Sequence, residues 1–184
     1  GVVDFIVGAY RDDNNGSDSG SARVLSGADG SVLYDFNGDS SSDYFGRSVS
    51  GAGDVNNDGF ADMIVGALLD DNNGVNSGSA RVFSGADGTI LHTFNGDSAN
   101  DYFGGSVSSA GDVNNDGYAD LIVGAYGDGS GVARVFSGVD GSELFALMGD
   151  GGSDNFGDAV DAADMNNDGY SDLLVSAPYD DNNG

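Results

Sequence analysis

Four short apolar runs recur at matching places along the chain: FIVGA from Phe5, MIVGA from Met63, LIVGA from Leu121 and LLVSA from Leu173. An unbroken run of this length, bounded by turn residues, suits a strand covered on both faces. Ahead of the second run, FGRSVSGAG from Phe45 is rich in glycine and small residues and predicts a closely packed strand. Behind it, SARVFSG from Ser79 alternates apolar with small or polar residues, and an Ala-Asp-Gly turn leads into TILHTFNGD, which alternates again. One unit therefore reads as four short strands joined by turns, the pattern of one propeller blade.

One long word carries the repeat: DVNNDGFADMIVGA from Asp54, DVNNDGYADLIVGA from Asp112 and DMNNDGYSDLLVSA from Asp164, at spacings of 58 and 52. Units of this length cannot bury an apolar face alone and depend on their neighbours. Most of the difference in spacing falls where DDNNGVNSGSARV of one copy shortens to GDGSGVARV in the next, which marks a surface loop. The predicted class is all-β, with antiparallel four-stranded blades. Residues 1–44 supply strands two to four of a partial blade, 45–102 and 103–155 two full blades, and 156–184 the first two strands of another. The opening GVVDFIVGAYRDDNNG aligns with the closing GYSDLLVSAPYDDNNG, so the array starts and stops at one point of the repeat. Three periods fall short of the roughly four to eight blades of a propeller, so further chain or further copies are expected to complete it. Open blades at both ends would pair edge to edge, giving a ring or a fibre according to whether the rotation closes.

Composition sharpens this picture. The formal charge is -26, there is no lysine, and all but one of the 31 acidic residues are aspartate, the exception being Glu143. Tight turns and short metal loops favour the shorter carboxylate, whereas a merely solvated surface uses glutamate as readily. With five arginines the chain cannot neutralise a row of phosphates, and it would be repelled by an anionic membrane. At 39% apolar, with ten Phe and eight Tyr in ordered clusters, it does not read as a disordered acidic tail. No cysteine is present, and no apolar stretch approaches the roughly 18 residues of a membrane helix.

The word D-x-N-x-D-G-x-x-D places oxygen donors at its odd positions, with glycine at the bend. The predicted metal ligands are Asp54, Asn56, Asp58, the Phe60 carbonyl and Asp62; then Asp112, Asn114, Asp116, the Tyr118 carbonyl and Asp120; then Asp164, Asn166, Asp168, the Tyr170 carbonyl and Asp172. Asp4 matches the last position of an incomplete fourth site. A pair of carboxylates about 4 to 5 Å apart repels by roughly 4 kcal/mol at an effective dielectric of 20, so the loop calls for a cation, and Ca2+ is the cofactor expected. Three such ions would move the formal charge from -26 to -20. The twelfth position, an acidic ligand in an EF-hand, is Val65, Val123 or Val175 here, which argues against an EF-hand. The nine-residue calcium repeat of β-helices is absent too.

Around these loops, Phe45-Gly46 pairs with Gly66-Ala67, Phe103-Gly104 with Gly124-Ala125, and Phe156-Gly157 with Ser176-Ala177-Pro178. The combination resembles the FG-GAP repeat of integrin α subunits and related bacterial secreted proteins. That resemblance implies β-propeller blades with calcium in the loop between the first two strands, held by the residues named above.

Other residues carry weaker signals. His92, the single histidine, aligns with Tyr34 and Phe145 and reads as an aromatic packing position; no recurring acid sits beside it to support acid-base chemistry. Arg23, Arg81 and Arg134 share one register and read as ion pairs to a neighbouring blade. The DDNNG loops at Asp12-Asp13, Asp70-Asp71 and Asp180-Asp181 read as solvated turns, and Asn15-Gly16-Ser17 is a glycosylation sequon. The expected function is a non-catalytic, calcium-stabilised scaffold or adhesion module, extracellular or at the cell surface, with neighbouring copies, further blades, or an extracellular protein or glycan as partners. The alternatives are a subunit of a head-to-tail fibre or ring, and an accessory region of a larger secreted enzyme.

Overall fold

The computed structural model describes residues 2–181; Gly1 and residues 182–184, which the sequence assigns to the two outermost blades, lie outside them. The described residues form strands and turns, in four antiparallel sheets. The first holds β1 (Phe5–Ala9), β2 (Ser21–Leu25) and β3 (Val32–Asn37). The second runs in chain order through β4 (Phe45–Gly53), β5 (Asp62–Ala67), β6 (Ser79–Phe83) and β7 (Ile90–Asn95). The third repeats it with β8 (Ser106–Gly111), β9 (Asp120–Ala125), β10 (Val132–Phe136) and β11 (Glu143–Met148), and the fourth pairs β12 (Val160–Ala163) with β13 (Asp172–Val175). These meanders are propeller-type blades, as the alternation of apolar runs and turns predicts.

The apolar runs are covered on both faces. In β5, Met63 and Val65 pack with Ile6 and Phe36 of the preceding sheet, while Ile64 packs with Val107 and Leu121 of the following one. Every residue of β5 and β9 is buried. Each such aliphatic side chain contributes about 1.5 to 3 kcal/mol of burial, so no sheet is stable without its neighbours. The same words behave differently in the outer sheets: β1 alternates exposed and half-buried, with Phe5 and Val7 open to solvent.

The blades meet backbone to backbone. A Cβ on Gly66 would lie 2.0 Å from the carbonyl oxygen of Gly104, so nothing larger than glycine fits there without the sheets parting. Beside this contact Ser48 Oγ donates to Gly104 O at 2.7 Å, and Ser106 Oγ to Gly157 O at 2.8 Å. Parallel bridges join Gly20 to Phe45, Gly78 to Phe103 and Gly131 to Phe156. Thus the Phe-Gly of one blade seals against the Gly-Ala of the blade before it. Higher in the junction Phe36 stacks on Phe83 at 4.1 Å and Phe94 on Phe136 at 4.3 Å. His92 lies in this layer, stacked near Phe94, with Nε2 2.7 Å from Gly138 O, where Tyr34 OH donates to Gly85 O in the previous junction. Because a carbonyl only accepts, Nε2 is the protonated nitrogen.

Candidate metal centre

The loop from Asp54 to Asp62 is built on aspartate and asparagine side chains that accept their own backbone amides. Asp54 takes the amides of Asp58 and Gly59, at 3.0 and 2.9 Å; Asn56 Oδ1 takes Asp58 N at 3.0 Å, and Asp58 Oδ1 takes Phe60 N at 2.9 Å. Two positive φ values make the winding possible, 57° at Asn57 and 90° at Gly59. Asparagine tolerates the left-handed region better than other side chains, and glycine adopts it freely. The Asp112 loop repeats every one of these bonds, and so does the Asp164 loop. Their fourth and sixth residues, Asn115, Gly117, Asn167 and Gly169, also have positive φ.

The ninth position is different. Asp62 is buried and bridges two segments, with Oδ2 accepting Val55 N and Oδ1 accepting Gly85 N, both at 2.8 Å. Asp120 does the same with Val113 N at 2.9 Å and Gly138 N at 3.1 Å. Asp172 accepts Met165 N at 3.0 Å, and Asp4 accepts Gly27 N at 2.9 Å. This residue latches the loop to the turn between the third and fourth strands. Burial pushes the carboxyl of Asp62 up despite those two amides, and the charges of Asp58 and Asp54 add to the rise; Asp120 is raised in the same way, with Asp116 and Asp112 as the neighbours.

Every side-chain donor at the odd positions is an oxygen, the set a hard cation selects. Each carboxylate oxygen has two lone pairs and an amide takes one, so the acids keep acceptor capacity towards an ion. Asp54, Asp58 and Asp62 do not bring three carboxylate oxygens within 4.8 Å of one another. Among the described residues that closeness is reached at Asp150, Asp154 and Asp180, at the other end of the blades.

There the structure reveals a second recurring network. Arg81 pairs with Asp39 of the preceding connection and lies 3.8 Å from Asp70 of its own blade, over the ring of Phe45. Arg134 pairs with Asp97, lies 3.6 Å from Asp128 and sits over Phe103. The Asp39 and Asp43 pair recurs as Asp97 and Asp101, and as Asp150 and Asp154. Asp43 is pushed up to about 6, chiefly by burial, with Asp70 and Asp39 adding to it against the Ser40 amide and Arg81. In the shared register Arg81 and Arg134 make inter-blade ion pairs, as expected, but Arg23 pairs with Asp35 of its own sheet; the DDNNG loop, expected to be a solvated turn, carries the buried Asp70, which also accepts from Ser79 Oγ at 2.6 Å. The spacing N-G-D-x-x-x-D-Y-F-G, seen at Asn37 and again at Asn95, was the available signal for these acids. Asn15 is exposed, and its Nδ2 donates to Gly38 O at 2.8 Å, as Asn73 does to Gly96 O.

Comparison with known proteins agrees with this architecture. The FG-GAP repeat profile matches residues 45–83, 103–138 and 156–184, together more than half of the chain. The chain belongs to the FG-GAP repeat family. It is 32% identical over 194 residues to integrin alpha-5 of Xenopus laevis, covering 95% of this chain and 18% of that protein. It is 33% identical over 164 residues to integrin alpha-PS5 of Drosophila melanogaster, covering 79% of this chain and 16% of that one. With integrin alpha-V of Gallus gallus the identity is 28% over 200 residues, 96% of this chain and 19% of the other. The chain spans less than a fifth of the length of these relatives. Among the described residues no helix is long and apolar enough to cross a membrane.

Proposed function

We propose that this FG-GAP array is a non-catalytic adhesion or scaffold module, stabilised by calcium and working outside the cell. The observation that carries the reading is the threefold recurrence of one oxygen-lined loop, bond for bond, in a chain whose relatives are integrin alpha subunits. The ligands assigned are Asp54, Asn56, Asp58, the Phe60 carbonyl and Asp62, with their counterparts in the Asp112 and Asp164 loops; Asp4 holds the latch position of a fourth. Each calcium would take up the acceptor capacity left beside the amide contacts and cancel part of the repulsion among the acids. Sites at the weak end of calcium affinity, about 10⁻⁴ to 10⁻³ M, fill outside cells and stay empty in the cytosol, which supports the extracellular placement.

Thermal unfolding in chelator and in millimolar calcium tests the reading. At a free concentration of 100 times Kd, one site adds about 2.7 kcal/mol, so three independent sites shift the midpoint by more than about 10 °C. Equal midpoints in the two buffers reject it.

A further inference from the structure

The Asp54 and Asp112 loops are tied to each other as well as to themselves. Ala119, the eighth residue of the Asp112 loop, donates its amide to the carbonyl of Asp54, the first residue of the preceding loop, at 3.2 Å. Beside this bond Ala119 faces Gly53, whose φ is 77°; a Cβ there would lie 2.6 Å from that of Ala119, so glycine is what lets the two loops approach. Val55 is fully buried in the core that Leu121 and Phe136 of the following sheet share, and a Cβ on Gly138 would lie 3.1 Å from its own Cβ. Gly138 is the residue whose amide holds Asp120 Oδ1. The dipeptide Asp54-Val55 therefore buttresses the next loop both at the residue before Asp120 and at the turn that latches it.

Each side of the backbone contact is half of a peptide group whose other half serves a metal loop. The Ala119 N–H shares a planar trans peptide with the carbonyl of Tyr118, the seventh-position donor assigned above, and the two point in opposite directions. Holding that N–H on Asp54 fixes the Tyr118 carbonyl on the side away from the preceding loop. The Asp54 carbonyl, in turn, shares its peptide with the Val55 N–H, which Asp62 Oδ2 accepts at 2.8 Å. Two peptide groups and two hydrogen bonds thus run in series from a carbonyl of one loop to the ninth-position carboxylate of the other. Hydrogen bonds in series polarise one another.

We infer that the Ala119 amide is a positioning group for calcium at the Asp112 loop and that, through it, the Asp54 and Asp112 loops bind calcium with positive cooperativity. The inference rests on the calcium reading above. With its carbonyl on a cation, the Tyr118-Ala119 peptide is held still and its N–H becomes a stronger donor to Asp54. The Asp54 loop has then lost part of its freedom before it is filled, so affinity at either loop rises when the other is occupied. Charge acts in the opposite sense, since filling one loop cancels some of the negative field that draws cations to its neighbour, but salt screens that effect. The hydrogen-bonded link is short-ranged and survives salt, which separates the two.

Calcium titration calorimetry tests this on three chains, all carrying Asp164→Asn and Asp168→Asn to silence the third loop, with melting curves in chelator confirming that they fold. The first has no further change; the second adds Asp54→Asn and Asp58→Asn, and the third Asp112→Asn and Asp116→Asn, each leaving one working loop. At about 0.15 M salt the product of the two binding constants in the first chain should exceed the product of the single-loop constants at least about fivefold, and more salt should not lower that ratio. Replacing Ala119 by lactic acid, which keeps the side chain and lacks the N–H, should bring the ratio close to unity. The same exchange at Ala61 weakens the Phe60 carbonyl and should leave the ratio unchanged. In the chain with the Asp112 loop silenced, calcium should slow hydrogen exchange at the Ala119 amide. Single-loop chains that bind calcium with a ratio near unity overturn the coupling and leave the calcium reading standing. A ratio below unity that climbs with salt shows charge repulsion alone and overturns the coupling too, as does a ratio that survives the Ala119 ester or an Ala119 amide indifferent to calcium. Single-loop chains that take up no calcium overturn both.

Discussion

At one end of β5 lies the loop from Asp54 to Asp62, whose outer acids face water and accept from amides of the loop itself; at the other end Asp43 and Asp70 are buried beside the guanidinium of Arg81. Both ends crowd aspartates together. The first meets repulsion with a winding of amides and, on our proposal, an exchangeable ion; the second uses a cation that is part of the chain and cannot leave. A chelator should therefore act on one end only, and the comparison can be broken from either side.

The largest effect belongs to the latch. Asp62→Ala leaves the amides of Val55 and Gly85 without their acceptors inside the fold, and it should cost about 3 to 5 kcal/mol in urea unfolding in chelator, and more in calcium, where an assigned ligand is lost as well. Arg81→Gln should follow at about 3 kcal/mol, since Asp39 and Asp70 lose their counter-charge, and the loss should be the same in chelator. Asp54→Asn keeps an acceptor for only one of the two loop amides, so in chelator it should cost about 1 kcal/mol at this exposed site; in calcium it should remove about 2 to 3 kcal/mol more, the contribution of one filled site. If it destabilises equally in both buffers, the loop is a structural turn. Smallest of all, Arg23→Gln should change the stability of the isolated chain by no more than about 0.5 kcal/mol, because its pair with Asp35 is solvent-exposed.

The pH response sharpens the same contrast. Asp43, Asp62 and Asp120 are raised, so the folded chain keeps protons in a range where the unfolded chain has lost them. Stability then falls as pH climbs from the ordinary 3.8 through about 6, the folded value for Asp43. In chelator the melting midpoint should be higher at pH 5 than at pH 7. Below 3.8 the trend reverses, as Asp97, held low by Arg134, and the turn acids Asp29, Asp87 and Asp140, held low by Ser31, Thr89 and Ser142, take up protons. A midpoint that rises from pH 5 to pH 7 in chelator contradicts the burial assigned to these three groups.

The sheets were legible because their signal is local: turn residues bound each run, and the double-sided apolar words match β5 and β9, strands with both faces covered. The loop's winding was partly legible. Gly59 announced the bend, while the left-handed Asn57 was hidden inside an Asn-Asn pair whose two members look alike in sequence. The latch role of Asp62 stayed hidden because one letter cannot tell an outward carboxylate from one buried against Gly85, 23 residues away. The arginines announced pairs across blades, but the acids they meet escaped notice for a related reason. Asp39 and Arg81 lie in different units, 42 residues apart, and comparing repeats reveals what each position is but not which unit it touches.

The glycine contact between sheets has a consequence for how this array tolerates change. At most core positions a bulky substitution can be rescued by trimming the residue opposite. Opposite Gly66 stands the carbonyl of Gly104, which has no side chain to shorten, so second-site suppressors of a Gly66 mutation cannot arise within that pair. Relief must come from displacing a sheet as a rigid body, and the displacement would pass to every later sheet in the stack.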